Sequence, residues 1–302
     1  MAIIEKLLED YLNYLEIEKN RSPKTRVNYE HYLKTFIKFS GLKTENDITA
    51  DRVRDFRLFL ARSKTPRNEV IKKNTQAYYI IALRNFLKYL IKRDFEVLAP
   101  DKIELPKIPQ RQIEIIDYSN LERLLAAPQG NGLRQLRDKA ILETFFSTGL
   151  RLSELCQLNR HLNFERGEIT VRGKGNKLRV VFLSSDAKKA IKNYLDKRTD
   201  AEESLFISLT KAKNPKVIGR IIPRTVQRLI DYYSRKAGIE EKVTPHMLRH
   251  CYATDLLING ADLRSVQELL GHANVSTTQM YTHLTNKELR EIHQAFHARR
   301  RE

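Results

Sequence analysis

Apolar residues recur at helical spacing through the first hundred residues of the chain. They occupy positions 3, 4, 7, 8, 11, 12 and 15, which is the pattern of one buried helix face. Ser22-Pro23 provides a start for a second helix, and Gly41 provides its end. Two more apolar stripes follow in residues 51–62 and 74–90. These stripes predict a helical domain over residues 1–97.

The helical periodicity stops between residues 98 and 112. This stretch contains Pro100, Pro106 and Pro109, with basic residues between them. Proline fixes one backbone dihedral angle and removes an N–H donor, so such a run favours a stiff connection over a helix. We therefore predict a linker over residues 98–112 and a second domain over residues 113–302.

The second domain is predicted to be mostly helical with one small antiparallel β-sheet. Two β-branched runs, residues 168–172 and 178–182, flank Gly173-Lys174-Gly175-Asn176, and this arrangement is typical of a β-hairpin. Helical patterns occupy residues 118–127, 133–147, 153–158, 187–197, 223–237, 245–259, 263–270, 277–281 and 286–299. The predicted fold class is therefore mainly α, with a helical domain followed by a mixed α/β domain.

Composition narrows the class of partner. The 302 residues include 55 Lys and Arg and 37 Asp and Glu, which gives a net charge of +18. The excess of positive charge is present in both halves of the chain. A chain with this charge most often binds a polyanion such as nucleic acid or an anionic membrane. The apolar runs are too short for a membrane span, and the start lacks the pattern of a signal peptide. Two cysteines, Cys156 and Cys251, are too few for a disulfide framework or a Cys-based zinc site. We expect a reducing, cytoplasmic location.

Candidate chemistry first appears in residues 244–250, Thr-Pro-His-Met-Leu-Arg-His. Thr244-Pro245 is a helix start, which places His246 and Arg249 on one helix face. A proton-transfer group beside a permanent cation suits a reacting phosphate. There are three alternatives. The side chains could simply be packed, or Arg249 could belong to a structural ion pair. His246 and His250 could also bind zinc, although no Glu follows His246 as a metalloprotease motif requires.

Four further stretches carry side chains of the same kind. Arg151 lies just past a glycine that ends a predicted helix, with Glu154 three residues later, and Lys174 occupies the hairpin turn. His272 follows the glycine at the end of another predicted helix, and Tyr281 lies nine residues beyond it. The hairpin turn is not a phosphate-binding P-loop, because it lacks the GxxxxGK[ST] spacing and connects two strands.

In order, these residues read Arg, Lys, His-x-x-Arg, His, Tyr, and the set resembles the tyrosine recombinase (phage integrase) family. The stretches TGLRLSEL, RGKGNKLR, TPHMLRHCYAT and LLGHANVSTTQMYTH are similar to that family's motifs. Residues 1–97 resemble its helical core-binding (SAM-like) DNA-binding domain, and residues 113–302 its catalytic domain. The compact chain is most similar to Xer-type members, which resolve chromosome dimers.

The resemblance implies strand cleavage by a tyrosine. Tyr281 would attack a DNA phosphate and form a 3′-phosphotyrosyl link, which preserves the bond energy for rejoining without ATP. Arg151 and Arg249 would clamp the phosphate oxygens.

The same resemblance assigns the remaining site residues. His246 would be the general base, Lys174 the general acid for the 5′-hydroxyl leaving group, and His272 a donor to the phosphate. Glu154 would support Arg151 or His246. Neither a metal nor a cofactor is implied.

The implied partner is double-stranded DNA carrying an inverted-repeat recombination site, bound in the nucleoid. The implied assembly is a homotetramer, or a heterotetramer with a paralogue, in which the helix at 286–299 docks into a neighbouring protomer. A DNA translocase or other accessory protein would assist, and no membrane is involved. Phosphate contacts are predicted for basic residues in both domains: Lys24, Arg26, Lys72, Lys73, Arg84, Lys177 and Arg179.

Three other functions stay open from the sequence. A mobile-element integrase of the same family would share every motif. A topoisomerase with type IB chemistry would use the same nucleophile without site preference, but it normally has a large enclosing cap. A DNA-binding protein that has lost catalysis would not need the complete set of six side chains.

Overall fold

Helices form most of the described chain. The computed structural model describes residues 3–65, 68–106, 116–173, 178–212 and 215–271. The chain divides into two compact units, residues 1–111 and residues 112–302. The predicted mainly helical fold class is confirmed.

Four α-helices form most of the described part of the first unit. Their ends follow local signals: the Ser22 hydroxyl accepts a hydrogen bond from the Thr25 amide at 3.3 Å, and Gly41 ends its helix at φ +59°. The helices are α1 (Ile3–Ile17), α2 (Pro23–Ser40), α3 (Ala50–Arg62) and α4 (Lys73–Lys92).

Aromatic side chains fill the core of the first unit. Tyr11 lies 5.2 Å from Phe86, centroid to centroid, and Phe36 meets Phe56 edge to face at 5.0 Å. All four are at most 2% exposed. Because these rings come from all four helices, their burial fixes the helices against one another.

The first unit extends past residue 97, where the sequence pattern placed its end. Residues Pro100–Lys102 form a short 3-10 helix, which buries Ile103 against the core of this unit. Arg84 on α4 pairs with Asp101 at 3.1 Å. The described part of the predicted linker therefore packs on the first unit. The sequence pattern did not indicate this, because a short 3-10 turn can bury an apolar side chain without producing helical periodicity.

The second unit is organised around one buried helix, α6, which packs against α8 and α10. Ala140, Ile141, Leu142 and Phe145 on α6 are fully buried. The elements are α5 (Tyr118–Ala126), α6 (Leu133–Thr148), α7 (Leu152–Cys156), β1 (Glu168–Arg172), β2 (Leu178–Phe182), α8 (Ser185–Asp196), β3 (Ile207–Leu209), β4 (Val217–Arg220), α9 (Pro223–Lys236), α10 (Pro245–Ile258) and α11 (Leu263–Leu270).

The predicted hairpin is confirmed, and the sheet pattern is richer than predicted. Strands β1 and β2 pair antiparallel from Glu168 opposite Phe182 to Arg172 opposite Leu178. A second antiparallel pair, β3 with β4, was not predicted. Its strands are only three and four residues long and carry a register irregularity, so they give little alternating pattern.

Some predicted elements lie outside the described residues. These are residues 174–176 of the predicted hairpin turn and the predicted helices at 277–281 and 286–299. Among the helices that the structure describes, none has the length and apolar character needed to cross a membrane.

Candidate active site

The junction between α6 and α7 positions Arg151. Gly149 ends α6 in the left-handed region, and Arg151 immediately precedes the first turn of α7. The carboxylate of Glu154 accepts the Arg151 backbone N–H at 2.8 Å and the Arg151 Nη1 donor also at 2.8 Å. One side chain therefore caps the helix start and orients the guanidinium.

Gly149 is required by two separate constraints. Its φ of +57° is costly for other residues, and a Cβ built there would lie 2.3 Å from Cδ1 of Tyr252 on α10. Its carbonyl oxygen accepts a 2.6 Å hydrogen bond from Arg249 Nη1. The turn thus brings α6, Arg151 and α10 together at one point.

Glu154 has a second arginine partner, which the sequence did not indicate. Arg179 on β2 donates to both carboxylate oxygens, from Nη1 at 2.9 Å and from Nη2 at 2.6 Å. Its side chain is only 10% exposed. The sequence predicted a phosphate contact for Arg179. The structure shows its guanidinium bound to Glu154, a buried carboxylate that needs a charged partner.

These bonds decide the charge of Glu154. Burial by itself raises the pKa of the carboxyl group, but hydrogen bonds from Arg179 and from the Arg151 backbone and side chain outweigh it and lower the pKa to about 2. Glu154 is therefore ionised at every physiological pH and serves as a fixed anion.

Arg249 is buried and held by backbone carbonyls. It is 3% exposed, and besides Gly149 it donates from Nη2 to the Leu270 carbonyl at 2.5 Å. Carbonyl acceptors fix the plane of a guanidinium and, being neutral, do not cancel its charge.

The C-terminal turn of α11 receives all three arginines. Arg151 Nη2 donates to the Gly271 carbonyl at 2.9 Å, and Arg179 Nε donates to the Leu269 carbonyl at 3.2 Å. With Arg249 on the Leu270 carbonyl, three consecutive carbonyls are bound. The last carbonyls of a helix carry the negative end of its dipole, so guanidinium groups are well suited to this position.

His246 lies on the first turn of α10, as predicted. Thr244 begins the helix by accepting the Met247 amide at 3.3 Å, with Pro245 at the first position. The His246 side chain is exposed, and partial desolvation, together with the charges of Arg249 and Arg151, lowers its pKa. Its imidazole is thus neutral at physiological pH and able to accept a proton.

His250 lies one helical turn after His246 and contacts it through its ring. The two rings meet edge to face at a centroid distance of 5.3 Å. Burial, reinforced by His246 and Arg249, lowers the pKa of His250 to about 4. Within the described ranges, no group of three or more His, Cys, Asp and Glu side chains could hold a metal ion.

Four site residues predicted from the sequence lie outside the described residues: Lys174, Lys177, His272 and Tyr281. The structure describes the chain on either side of the first two and up to Gly271, which precedes His272. Arg151, Glu154, His246 and Arg249 are brought to one region of the second unit.

The predicted phosphate contacts in the first unit fall into two groups. Lys24, Lys72 and Lys73 are exposed at the starts of α2 and α4. Arg26 pairs with Glu16 at 3.1 Å, and Arg84 pairs with Asp101. A phosphate contact by either arginine would require exchange of its ion pair.

Two family models match the chain. The model described as "Phage integrase family" matches residues 114–288, and the model described as "Phage integrase, N-terminal SAM-like domain" matches residues 8–94. The chain belongs to the phage integrase family. The predicted resemblance is therefore confirmed, and the chain is a tyrosine recombinase.

Relatives within the phage integrase family match over nearly the whole chain. Tyrosine recombinase XerC of Shigella flexneri serotype 5b is 37% identical over 300 residues, covering 97% of this chain and 96% of that protein. The XerC of Thermodesulfovibrio yellowstonii is 36% identical over 299 residues, covering 96% and 95%.

Solved structures of the family share the fold. A XerA recombinase is 31% identical with a TM-score of 0.52, covering 96% of this chain and 98% of that one. A XerH site-specific recombinase bound to a palindromic difH substrate is 22% identical with a TM-score of 0.71, covering 94% and 82%.

Gly149→Ala should destabilise the second unit by more than backbone strain alone. We expect about 1–2 kcal/mol from the left-handed conformation and a further cost because the methyl group meets Tyr252. Gly238→Ala is the matched control, since Gly238 has φ +67° and nothing within 4 Å of its Cβ position. Urea unfolding of both variants measures the difference, and equal losses would show that the contact with Tyr252 contributes nothing.

Glu154→Gln should destabilise the protein in a pH-dependent way. The folded-state pKa of about 2 lies below the ordinary value of 4.5, so the stabilisation is complete above pH 4.5 and disappears as pH falls toward 2. We expect a loss of about 2–3 kcal/mol at pH 7 and a smaller one at pH 3.5. Urea unfolding at both pH values tests this, with exposed Glu165→Gln as control. A loss that does not change with pH would contradict the assigned charge.

Proposed function

We propose that this chain is a site-specific DNA recombinase of Xer type that cleaves and rejoins strands through a phosphotyrosyl link at Tyr281. The observation that carries the proposal is the convergence of Arg151 and Arg249 on one turn, at the end of α11, next to the neutral imidazole of His246. A phosphodiester bound there would meet two cations and a base.

The two guanidinium groups supply the charge that the reaction needs. Attack on a phosphodiester produces a pentacoordinate phosphorus with an additional negative charge on its non-bridging oxygens. Arg151 and Arg249 are fixed by hydrogen bonds before substrate arrives, so they need no reorganisation to stabilise that charge. Preorganised donors of this kind contribute about 10²–10³ in rate each.

Proton transfer completes the proposed cycle. The phenol of Tyr281 has an ordinary pKa near 10, so it needs a base as it attacks, and His246 takes that proton. The Tyr281 oxygen forms the bond to phosphorus, the bond to the 5′-oxygen breaks, and Lys174 delivers a proton to the leaving oxygen. Rejoining reverses each transfer.

The proposed biological role follows the relatives. XerC proteins match this chain over almost their entire length, and the similar XerH site-specific recombinase is bound to a palindromic difH substrate in its solved complex. We assign resolution of chromosome dimers at an inverted-repeat site in the nucleoid, by a tetramer of this chain or of this chain and a paralogue. The segment at 286–299, which the sequence predicts to be helical, is proposed to dock into a neighbouring protomer.

A nicked suicide substrate tests the proposal. When cleavage occurs beside a nick, the short product diffuses away and the covalent protein–DNA adduct accumulates. We expect an adduct with wild-type protein that is absent in Tyr281→Phe, because the phenol oxygen is the nucleophile. Tyr232→Phe, an exposed tyrosine on α9, is the control and should react normally.

Three results would count against the proposal. No adduct with any genomic site would argue for a DNA-binding protein without catalysis. Relaxation of random plasmids without exchange between matched sites would favour a topoisomerase. Cleavage at the ends of a mobile element would favour an integrase of the same family.

His246→Gln should slow cleavage and change its pH dependence. We expect a loss of about 10²-fold at pH 7.5, since general base catalysis contributes about 10²–10⁴. The pKa of His246 is lowered, so the acidic limb of the wild-type profile should lie below pH 6.5 and should flatten in the variant. Single-turnover cleavage from pH 5 to 8 measures both effects. An unchanged acidic limb would assign that proton to another group.

A further inference from the structure

Arg179 joins three segments that are distant along the chain. It extends from β2 and binds the Glu154 carboxylate of α7 with two hydrogen bonds, at 2.9 and 2.6 Å. Its Nε also reaches the Leu269 carbonyl near the end of α11 at 3.2 Å. Its three hydrogen bonds to described residues run to atoms 25 or 90 residues away. It therefore links β2, α7 and α11.

Gly271 shows how closely Arg179 packs against α11. A Cβ built at Gly271 would lie 2.9 Å from the Arg179 Cδ and 3.3 Å from its Nε, and Gly271 has φ +63°. Glycine thus allows both the left-handed end of the helix and the approach of the arginine. The residue after Gly271 is His272, so Arg179 holds the described chain immediately before it.

The shared carboxylate passes this constraint to Arg151. Glu154 Oε1 accepts one hydrogen bond from each arginine, and Oε2 accepts the Arg151 backbone N–H and Arg179 Nη2. If Arg179 were removed, the buried carboxylate would lose two of these four bonds and would be freer to move. Arg151 would then lose the fixed partner that orients its guanidinium.

We propose that Arg179 is a positioning residue of the recombinase site. It holds the Arg151–Glu154 pair and the last turn of α11 in one arrangement, and it does not bind DNA phosphate. This inference rests on the proposed function of Arg151 in phosphate activation. A lysine could not replace it. The guanidinium donates two bonds to the carboxylate and a third to a carbonyl, whereas the single ammonium group of lysine, at the end of a flexible stem, cannot make all three in this geometry.

The first part of the experiment needs no catalytic activity. Hydrogen exchange of the free protein is compared between wild type, Arg179→Ala and Arg179→Lys, after thermal unfolding has shown that each variant folds. We expect exchange at least 10-fold faster in peptides covering residues 149–156 and 263–271, and unchanged exchange in the buried centre of α6. Arg166→Ala removes an exposed arginine from the same unit and is the matched control.

The second part separates positioning from DNA contact. Single-turnover cleavage of the suicide substrate should fall about 100-fold in Arg179→Ala and remain low in Arg179→Lys, because a small misplacement of a catalytic group costs about that much. The Kd for uncleaved site DNA should stay within about threefold. The slope of log Kd against log salt should not change, whereas loss of one phosphate contact reduces it by about 0.9.

Each outcome decides one claim. Unchanged exchange in both segments, full activity of Arg179→Lys, or a reduced salt slope with weaker binding would overturn the positioning role. If wild-type protein forms no adduct with any site, the proposed function fails, and the exchange experiment still determines whether Arg179 holds α7 and α11 together. Faster exchange with slow cleavage and normal binding would support the inference.

Discussion

The arrangement of the site depends on one buried carboxylate. Glu154 accepts hydrogen bonds from the backbone and guanidinium of Arg151 and from both terminal nitrogens of Arg179. A carboxylate buried without such partners would be protonated or excluded from the interior. Here its pKa is lowered to about 2 despite burial, because the four bonds favour the charged form. Both arginines help to keep Glu154 ionised, so the geometry of the carboxylate and of the two guanidinium groups is determined together.

Arginine has a wider structural role in the second unit. Besides the three at α11, Arg137 donates to the Ile207 carbonyl, Arg198 to the Ser204 and Leu205 carbonyls, and Arg220 to the Cys156 and Leu158 carbonyls. These bonds satisfy backbone oxygens at the ends of helices and strands or in the segments between them. The net charge of +18 is therefore an incomplete guide to DNA contacts, since part of the positive charge satisfies the protein's own carbonyls.

What the sequence predicted well was determined locally. The pairing of β1 with β2 follows from two β-branched runs around a Gly-rich turn, and the start of α10 follows from Thr244-Pro245. Arg179 could not be placed in this way, because its partners lie 25 and 90 residues away and a surface arginine has the same sequence signature. The β3–β4 pair gave no signal because its strands are too short for alternation. The predicted roles of Lys174, His272 and Tyr281 rest on their motifs.

The choice of acceptors lets the site hold its cations in place and keep the positive charge that the proposed reaction needs. Arg151 and Arg179 share the single carboxylate of Glu154, so this ion cluster keeps a net positive charge. The remaining hydrogen bonds of both guanidinium groups go to carbonyls at the end of α11, which orient a guanidinium without cancelling its charge. Pairing each arginine with its own carboxylate would have held them equally well and left the cluster neutral. A net positive cluster instead favours a phosphate that gains negative charge during attack. His246 adds no further charge, since its lowered pKa keeps it neutral, and in the proposed mechanism it would accept the proton of the attacking phenol.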